Sequence, residues 1–132
     1  MSFELEMILR LLLAAALGAI IGYQRERAGK TAGLRTNVLI CVGAALFTVA
    51  SYGFGDAADP SRIAAGVVAG IGFLGAGAII RTGEGFLAGL TTAATIWAVA
   101  GIGLAAGAGL YLISAVTTVI VLIVLLLPHP IR

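Results

Sequence analysis

The chain has 132 residues, of which 61% are hydrophobic and only 11% charged, with a formal net charge of +2. Soluble domains carry about 25% charged residues, so a chain this apolar lacks the polar surface to cover a water-soluble core and reads as an integral membrane protein. The small net charge gives no basis for nucleic-acid binding, and one cysteine, Cys41, excludes an intrachain disulfide or a multi-cysteine metal site.

The first six residues hold Glu4 and Glu6 and no Lys or Arg, so the positive start of a cleavable signal peptide is missing. A first span is expected over about 5–22, long enough for a hydrocarbon core of ~30 Å. Arg10 is the charge inside it. It either snorkels to the interface or turns inward as a polar anchor, and Glu6 lies four residues earlier on the same helix face. Residues 23–35, YQRERAGKTAGLR, carry Arg25, Arg27, Lys30 and Arg35 against Glu26 alone. That excess makes the first loop cytoplasmic. A second span follows over 36–54, with Tyr52 and Phe54 at its outer interface. Asp56, Asp59 and Pro60 mark a short outer loop, and Arg62 opens a third span over 62–80. The stretch 81–85, RTGEG, returns the chain inside. A fourth span over 86–104 and a fifth over 110–127 are separated by Gly107-Ala108-Gly109, and Pro128 and Pro130 stop the last helix. The expected fold is all-α: one transmembrane domain of about five helices, N-terminus outside and C-terminus inside. No soluble domain is expected before the chain ends at Arg132.

Glycines dominate the third span. Gly70 to Gly75 fits the G-x-G-x-x-G dinucleotide pattern, but no strand, helix opening or downstream acid of a soluble βαβ unit surrounds it. In a membrane helix glycine lets two backbones approach closely. Gly66, Gly70, Gly72, Gly75 and Gly77 are therefore expected to form a packing surface, on which leucine at Gly72 should cost far more than leucine at Val67. The GxxxG pairs Gly18/Gly22, Gly66/Gly70 and Gly103/Gly107 are expected to pack helices within the chain first and to serve a homo-oligomer second. Gly18-Ala19-Ile20-Ile21 recurs as Gly77-Ala78-Ile79-Ile80, and Ala32-Gly33-Leu34 as Ala88-Gly89-Leu90. These echoes fit parallel repeats of helices one-two and three-four, although a Gly/Ala/Ile/Leu-rich composition also produces short matches.

Thr36, Asn37, Thr91, Thr92 and Thr95 cluster at the expected cytoplasmic ends of spans two and four, where they read as helix caps. With the basic loop they could also bind an anion. No acid falls in mid-span, so a carboxylate-lined Mg²⁺ path is not legible. The only histidine, His129, sits between two prolines, and no catalytic set accompanies it. No enzyme activity, cofactor or resident metal is expected.

Five runs carry a resemblance: GAIIGYQRE (18–26), AGLRTN (32–37), SRIAAG (61–66), GIGFLGAG (70–77) and GLTTAATIW (89–97). Together they resemble the membrane domain of the MgtC/SapB family. The resemblance implies a multi-pass protein of the bacterial cytoplasmic membrane, tied to low-magnesium adaptation and survival in host cells. It implies a regulator that contacts other membrane proteins, with transport of Mg²⁺ or another small solute as the alternative. It marks Arg10, Arg25, Glu26, Arg35, Thr36, Asn37, Arg62, Thr91 and Thr92 as motif polar residues. Gly18, Gly22, Gly66, Gly70, Gly72, Gly75, Gly77 and Gly89 are expected, as glycines of membrane helices, to be packing residues. Gln24, Gly66 and Ala88 depart from the family pattern, each by removing a polar group.

Overall fold

The computed structural model describes residues 2–57, 59–81 and 86–128, and at 57, 81 and 86–88 it describes the backbone alone. The expected return loop at 82–85 and His129, Pro130 and Arg132 lie outside the described residues. Five helices appear: α1 (Phe3–Arg27), α2 (Leu34–Ser51), α3 (Pro60–Arg81), α4 (Phe86–Gly107) and α5 (Tyr111–Leu125), with a short 3₁₀ segment, Tyr52–Ala57, after α2.

Local chemistry sets the ends. Ser2 caps α1 by accepting from the Leu5 amide at 3.1 Å. Glu4 and Glu6 sit in the first turn and Arg25 and Arg27 in the last, complementing the helix dipole. Gly29 (φ 72°) and Gly109 (φ 85°) end α1 and α4 in the left-handed region. Beyond each, the next amide reaches back to a carbonyl five residues earlier, Lys30 to Arg25 and Leu110 to Ala105, which completes a Schellman cap. At α3, Asp59 is the cap, accepting from the Arg62 amide at 3.3 Å, and Pro60 takes the first helical position.

Four helices, α1 to α4, contain stretches long and apolar enough to cross a membrane. The fifth is shorter than expected. Its 15 residues cover about 22 Å at 1.5 Å per residue, less than the ~30 Å core. Phe73, Ile80, Leu112 and Leu39 are each at least 70% exposed. Water would not tolerate so large an apolar surface on a monomer, and the chain is a multi-pass membrane protein.

The packing centre is a triad of α1, α2 and α4, with α5 laid across α1 and α4. Ala14, Ile21, Cys41, Ala45, Val99 and Ala106 are fully buried at its heart. Two GxxxG pairs make this approach close. A Cβ at Gly18 would stand 2.8 Å from both the Asn37 carbonyl oxygen and the Cys41 Cβ, and one at Gly22 would stand 2.8 Å from the Leu34 Cα. On the other side of α2, Gly103 seats on the Cys41 carbonyl and Gly107 on that of Ala45.

The third span corrects the glycine expectation. Half of the α4 span is buried, against 6% of the α3 span. A Cβ added at Gly66, Gly70, Gly72 or Gly77 would meet no described atom within 4 Å, and of these α3 glycines Gly75 alone has a neighbour, Ala93 at 3.5 Å. Gly72 is therefore open, whereas Val67 is half-buried against the core, the reverse of the expected order. The physical reason is placement. α3 leans on α4 along one flank and meets α2 only briefly, so most of its circumference faces outward. Gly89, near the start of α4, is buried.

The hairpins α1/α2 and α3/α4 meet through α2 and α4. In the first, Gly18 sits on Asn37; in the second, Gly75 sits on Ala93. Asn37 and Ala93 each lie five residues after the start of their Ala-Gly-Leu run. Gly77, the sequence echo of Gly18, has no such neighbour, so the contact is made two residues earlier.

Candidate functional site

The motif residues gather at two opposite ends of the bundle. Arg10 and Arg25 lie fifteen residues apart on α1, about 22 Å along the helix axis.

At the Arg25 end, α1 continues past the expected boundary at residue 22, so the charged run YQRER is helical. Gln, Arg and Glu are good helix formers, and the membrane boundary does not end the helix. The continuation points successive residues in different directions. Arg25 turns inward, is 4% exposed, and donates from Nη2 to the Thr92 hydroxyl of α4 at 2.6 Å. A buried guanidinium is costly unless paired, so this bond ties the ends of α1 and α4. Glu26 turns outward to the loop, where Oε1 accepts from the Leu34 amide at 3.0 Å. Gly33, the residue before α2, supplies no side-chain cap, and Glu26 from α1 satisfies that orphan donor instead. A Cβ at Gly33 would lie 2.5 Å from Glu26 Oε1, so the loop needs glycine there.

Asn37 is fully buried in the first turn of α2. Its amide nitrogen donates to the carbonyls of Ala32 at 2.8 Å and Gly33 at 2.9 Å. It therefore pins the αL residue Ala32 (φ 59°) rather than accepting from helix amides as a cap would. Asn37 Oδ1 and Gln24 Oε1 are buried without a hydrogen-bond partner among the described residues. Thr92 and Thr95 also fail the capping expectation, since α4 begins at Phe86 and both lie inside it. Thr95 donates to the Thr91 carbonyl at 2.8 Å. Arg35 and Thr36 are exposed on the outer face of the first turn of α2.

At the other end, Arg10 is the inward anchor. It donates from Nη2 to Glu6 Oε2 at 2.5 Å, from Nη1 to the Gly107 carbonyl at 2.9 Å, and from Nε to the Tyr111 hydroxyl at 3.0 Å. Tyr111 in turn donates to Glu6 Oε2 at 3.1 Å. The guanidinium lies 5.8 Å from the ring centres of both Tyr52 and Tyr111, within cation–π range. One side chain thus joins α1 to the ends of α2 and α4 and the start of α5. The Tyr111 and Gly107 partners were not legible as such. The signal was an interfacial tyrosine three residues before a buried serine, Ser114, on a helix whose other polar residues are Thr117 and Thr118. Arg62 does not join this cluster. It is exposed, 3.7 Å from Asp59.

The arrangement holds helices rather than reacting groups. Among the described residues no three His, Cys, Asp or Glu side chains gather to hold a metal.

The comparisons place this architecture. The family model for the MgtC family matches residues 11–132. YhiD of Escherichia coli K12, a candidate magnesium transporter by its name, is 48% identical over 132 residues, covering 94% of this chain and 61% of that protein. Protein MgtC of Brucella abortus is 48% identical over 118 residues, covering 89% of this chain and 49% of its own. Protein MgtC of Salmonella typhimurium LT2 is 49% identical over 115 residues, covering 87% and 49%. The chain thus spans about half to three fifths of the length of these curated relatives. No solved structure matches it. Over nearly its whole length, then, this helical bundle with its two arginine locks belongs to the MgtC family.

Proposed function

We propose that the chain is a non-enzymatic regulator of the cytoplasmic membrane, acting through contacts with other membrane proteins in magnesium homeostasis or low-magnesium adaptation. The observation that carries this is the open surface of α3. The run GIGFLGAG is the most distinctive in the chain, yet a Cβ added at Gly72 or Gly77 would meet no described atom within 4 Å. Glycines that their own bundle does not use leave a helix surface on which a partner's helix can approach closely. Arg10, Arg25 and Thr92, by contrast, are engaged in joining helices, which fits a rigid scaffold presenting that surface.

Transport of Mg²⁺ or another small solute is the second reading, favoured by the name of the Escherichia coli relative. Proteoliposomes enclosing a Mg²⁺-sensitive dye separate the two. The regulator gives no flux above empty liposomes, and Gly72→Leu stays folded while failing to support growth in magnesium-limited medium. Protein-dependent Mg²⁺ flux would overturn the regulator in favour of transport.

The proposed orientation puts the Arg25 end in the cytoplasm, from the charge bias of residues 23–35. Cys41 is buried and out of reach of reagents. Asp56→Cys should therefore label in intact cells, and Ala28→Cys only after permeabilisation. The opposite pattern inverts the topology.

A further inference from the structure

The cleft between α2 and α3 has a volume of about 520 Å³ and is open on one side. Gly43, Gly66 and Gly70 line it, together with Leu39, Phe47 and Leu74 among others. A Cβ added at any of these three glycines would meet no described atom within 4 Å. Arg62 stands at its mouth with its side chain 86% exposed, held only loosely by Asp59 at 3.7 Å.

We infer that this cleft is a binding site for one membrane phospholipid, with an acyl chain laid along the lining glycines and the phosphate on Arg62. Three features carry the inference, independently of the regulator reading. The first is depth. From Arg62 to Leu74 the cleft follows twelve residues of α3, about 18 Å at 1.5 Å per residue. One leaflet of a ~30 Å hydrocarbon core is about 15 Å. The cleft thus has the depth of a single leaflet and ends before α3 does, whereas a partner helix would use the whole span. The second is shape and polarity: an apolar trough widened by three glycines suits a flexible methylene chain, and lipid tails are as apolar as its lining. The third is charge. Arginine matches a phosphodiester with a fork of donors, and Arg62 lines the cleft at the start of the apolar span of α3. Bulk lipid would bathe any apolar surface; the recess and the cation together are what make one position preferred.

Native mass spectrometry of the detergent-released protein reads the site directly. Palmitoyl-oleoyl phosphatidylglycerol is titrated alongside palmitoyl-oleoyl glycerol, which has the chains without the phosphate. One phospholipid adduct is expected on the wild type, with at least tenfold less of the phosphate-free probe. Gly70→Leu fills part of the cleft and should abolish the adduct, and Gly66→Leu, an independent filling variant, should do the same should Gly70→Leu fail to fold. Arg62→Gln should weaken the adduct about tenfold. Gly72→Leu, equally free of steric conflict but outside the cleft lining, should leave it unchanged. Adducts retained in both filling variants, or equal binding of the two probes, would overturn the site. So would filling variants that convert a dimer to a monomer with the adducts unchanged, which assigns the cleft to a second copy.

Discussion

Two glycine-rich helices of similar length behave in opposite ways. On α4, Gly103 and Gly107 are pressed against the α2 backbone, and on α1, Gly18 and Gly22 close on the same helix from the other side. On α3, Gly66 and Gly70 share the same four-residue spacing and touch nothing. Spacing therefore does not identify a packing glycine. What separates the two sets is whether a second helix is locked alongside. α1 and α4 flank α2 and are joined at one end by Arg25 and Thr92 and at the other by Arg10 and Gly107, while none of the described α3 side chains takes part in either lock.

The largest break in this comparison is leucine at Gly103. A Cβ there would already collide with the Cys41 carbonyl oxygen, before the rest of the side chain is placed. Overpacking a tight interior costs ~1–3 kcal/mol and occasionally more, and Gly103→Leu should sit at or above the top of that range. Gly72→Leu should stay within about 0.5 kcal/mol, as a surface substitution does. Thermal unfolding in detergent measures both. A melting temperature for Gly103→Leu equal to that of Gly72→Leu would remove the distinction between the two glycine sets.

Much of the fold was legible because membrane helices announce themselves by length and hydropathy, and each expected span coincides with a helix. The boundaries were less legible where charge was taken for a helix end. The run after Gly22 is polar, so it read as loop, yet it continues α1 because a helix can leave the membrane without stopping. That one shift hid the roles of Arg25 and Glu26, which face opposite ways only because they are helical. Arg10 was legible as an anomaly, and its i,i+4 partner Glu6 with it. Tyr111 and the Gly107 carbonyl were not, since they lie 101 and 97 residues away and no local period links them. The α3 glycines were misplaced for a related reason: sequence reports the capacity for close approach, and only the tertiary arrangement reports whether a neighbour is present.

A second, smaller break concerns the locks themselves. Thr92→Val keeps the branched shape and removes the oxygen that accepts from Arg25 at 2.6 Å. A hydrogen bond to a charged group is worth about 1.5–3 kcal/mol. Arg25 has further contacts, so the loss should be that of one such bond. Thr92→Ser restores the oxygen and should recover most of the stability. At the opposite end, Tyr111→Phe removes the hydroxyl between Arg10 and Glu6, but Arg10 keeps Gly107 and Glu6. The site is also partly open to its surroundings, so about 0.5–1.5 kcal/mol is expected. Unfolding midpoints of the three variants rank the locks. A larger loss for Tyr111→Phe than for Thr92→Val would reverse the order and make the Arg10 end the principal clamp.

The smallest effect tests how far α3 is independent of the triad. Asp59 caps α3 and is exposed to water. Its carboxyl is held below the ordinary aspartate value, first by the Ser61 hydroxyl at 2.7 Å and then by the Arg62 amide. A carboxylate whose folded pKa is depressed contributes its stabilisation above the unfolded value, ~3.9 for aspartate, and loses it as pH falls through the lower folded value. The cap should therefore be constant from neutral pH down to about 4 and fade below. Because α3 carries no part of the buried lock, that fading should stay local. Hydrogen-exchange protection at Ser61, Arg62 and Ile63 should drop below this pH, while protection across α2 and the middle of α4 holds. Asp59→Asn keeps a capping oxygen but cannot titrate, so its protection at the same amides should be flat with pH. If acid released α2 and α4 together with α3, or if Asp59→Asn kept the pH dependence, the first turn of α3 would not be the separable element that its open glycines indicate.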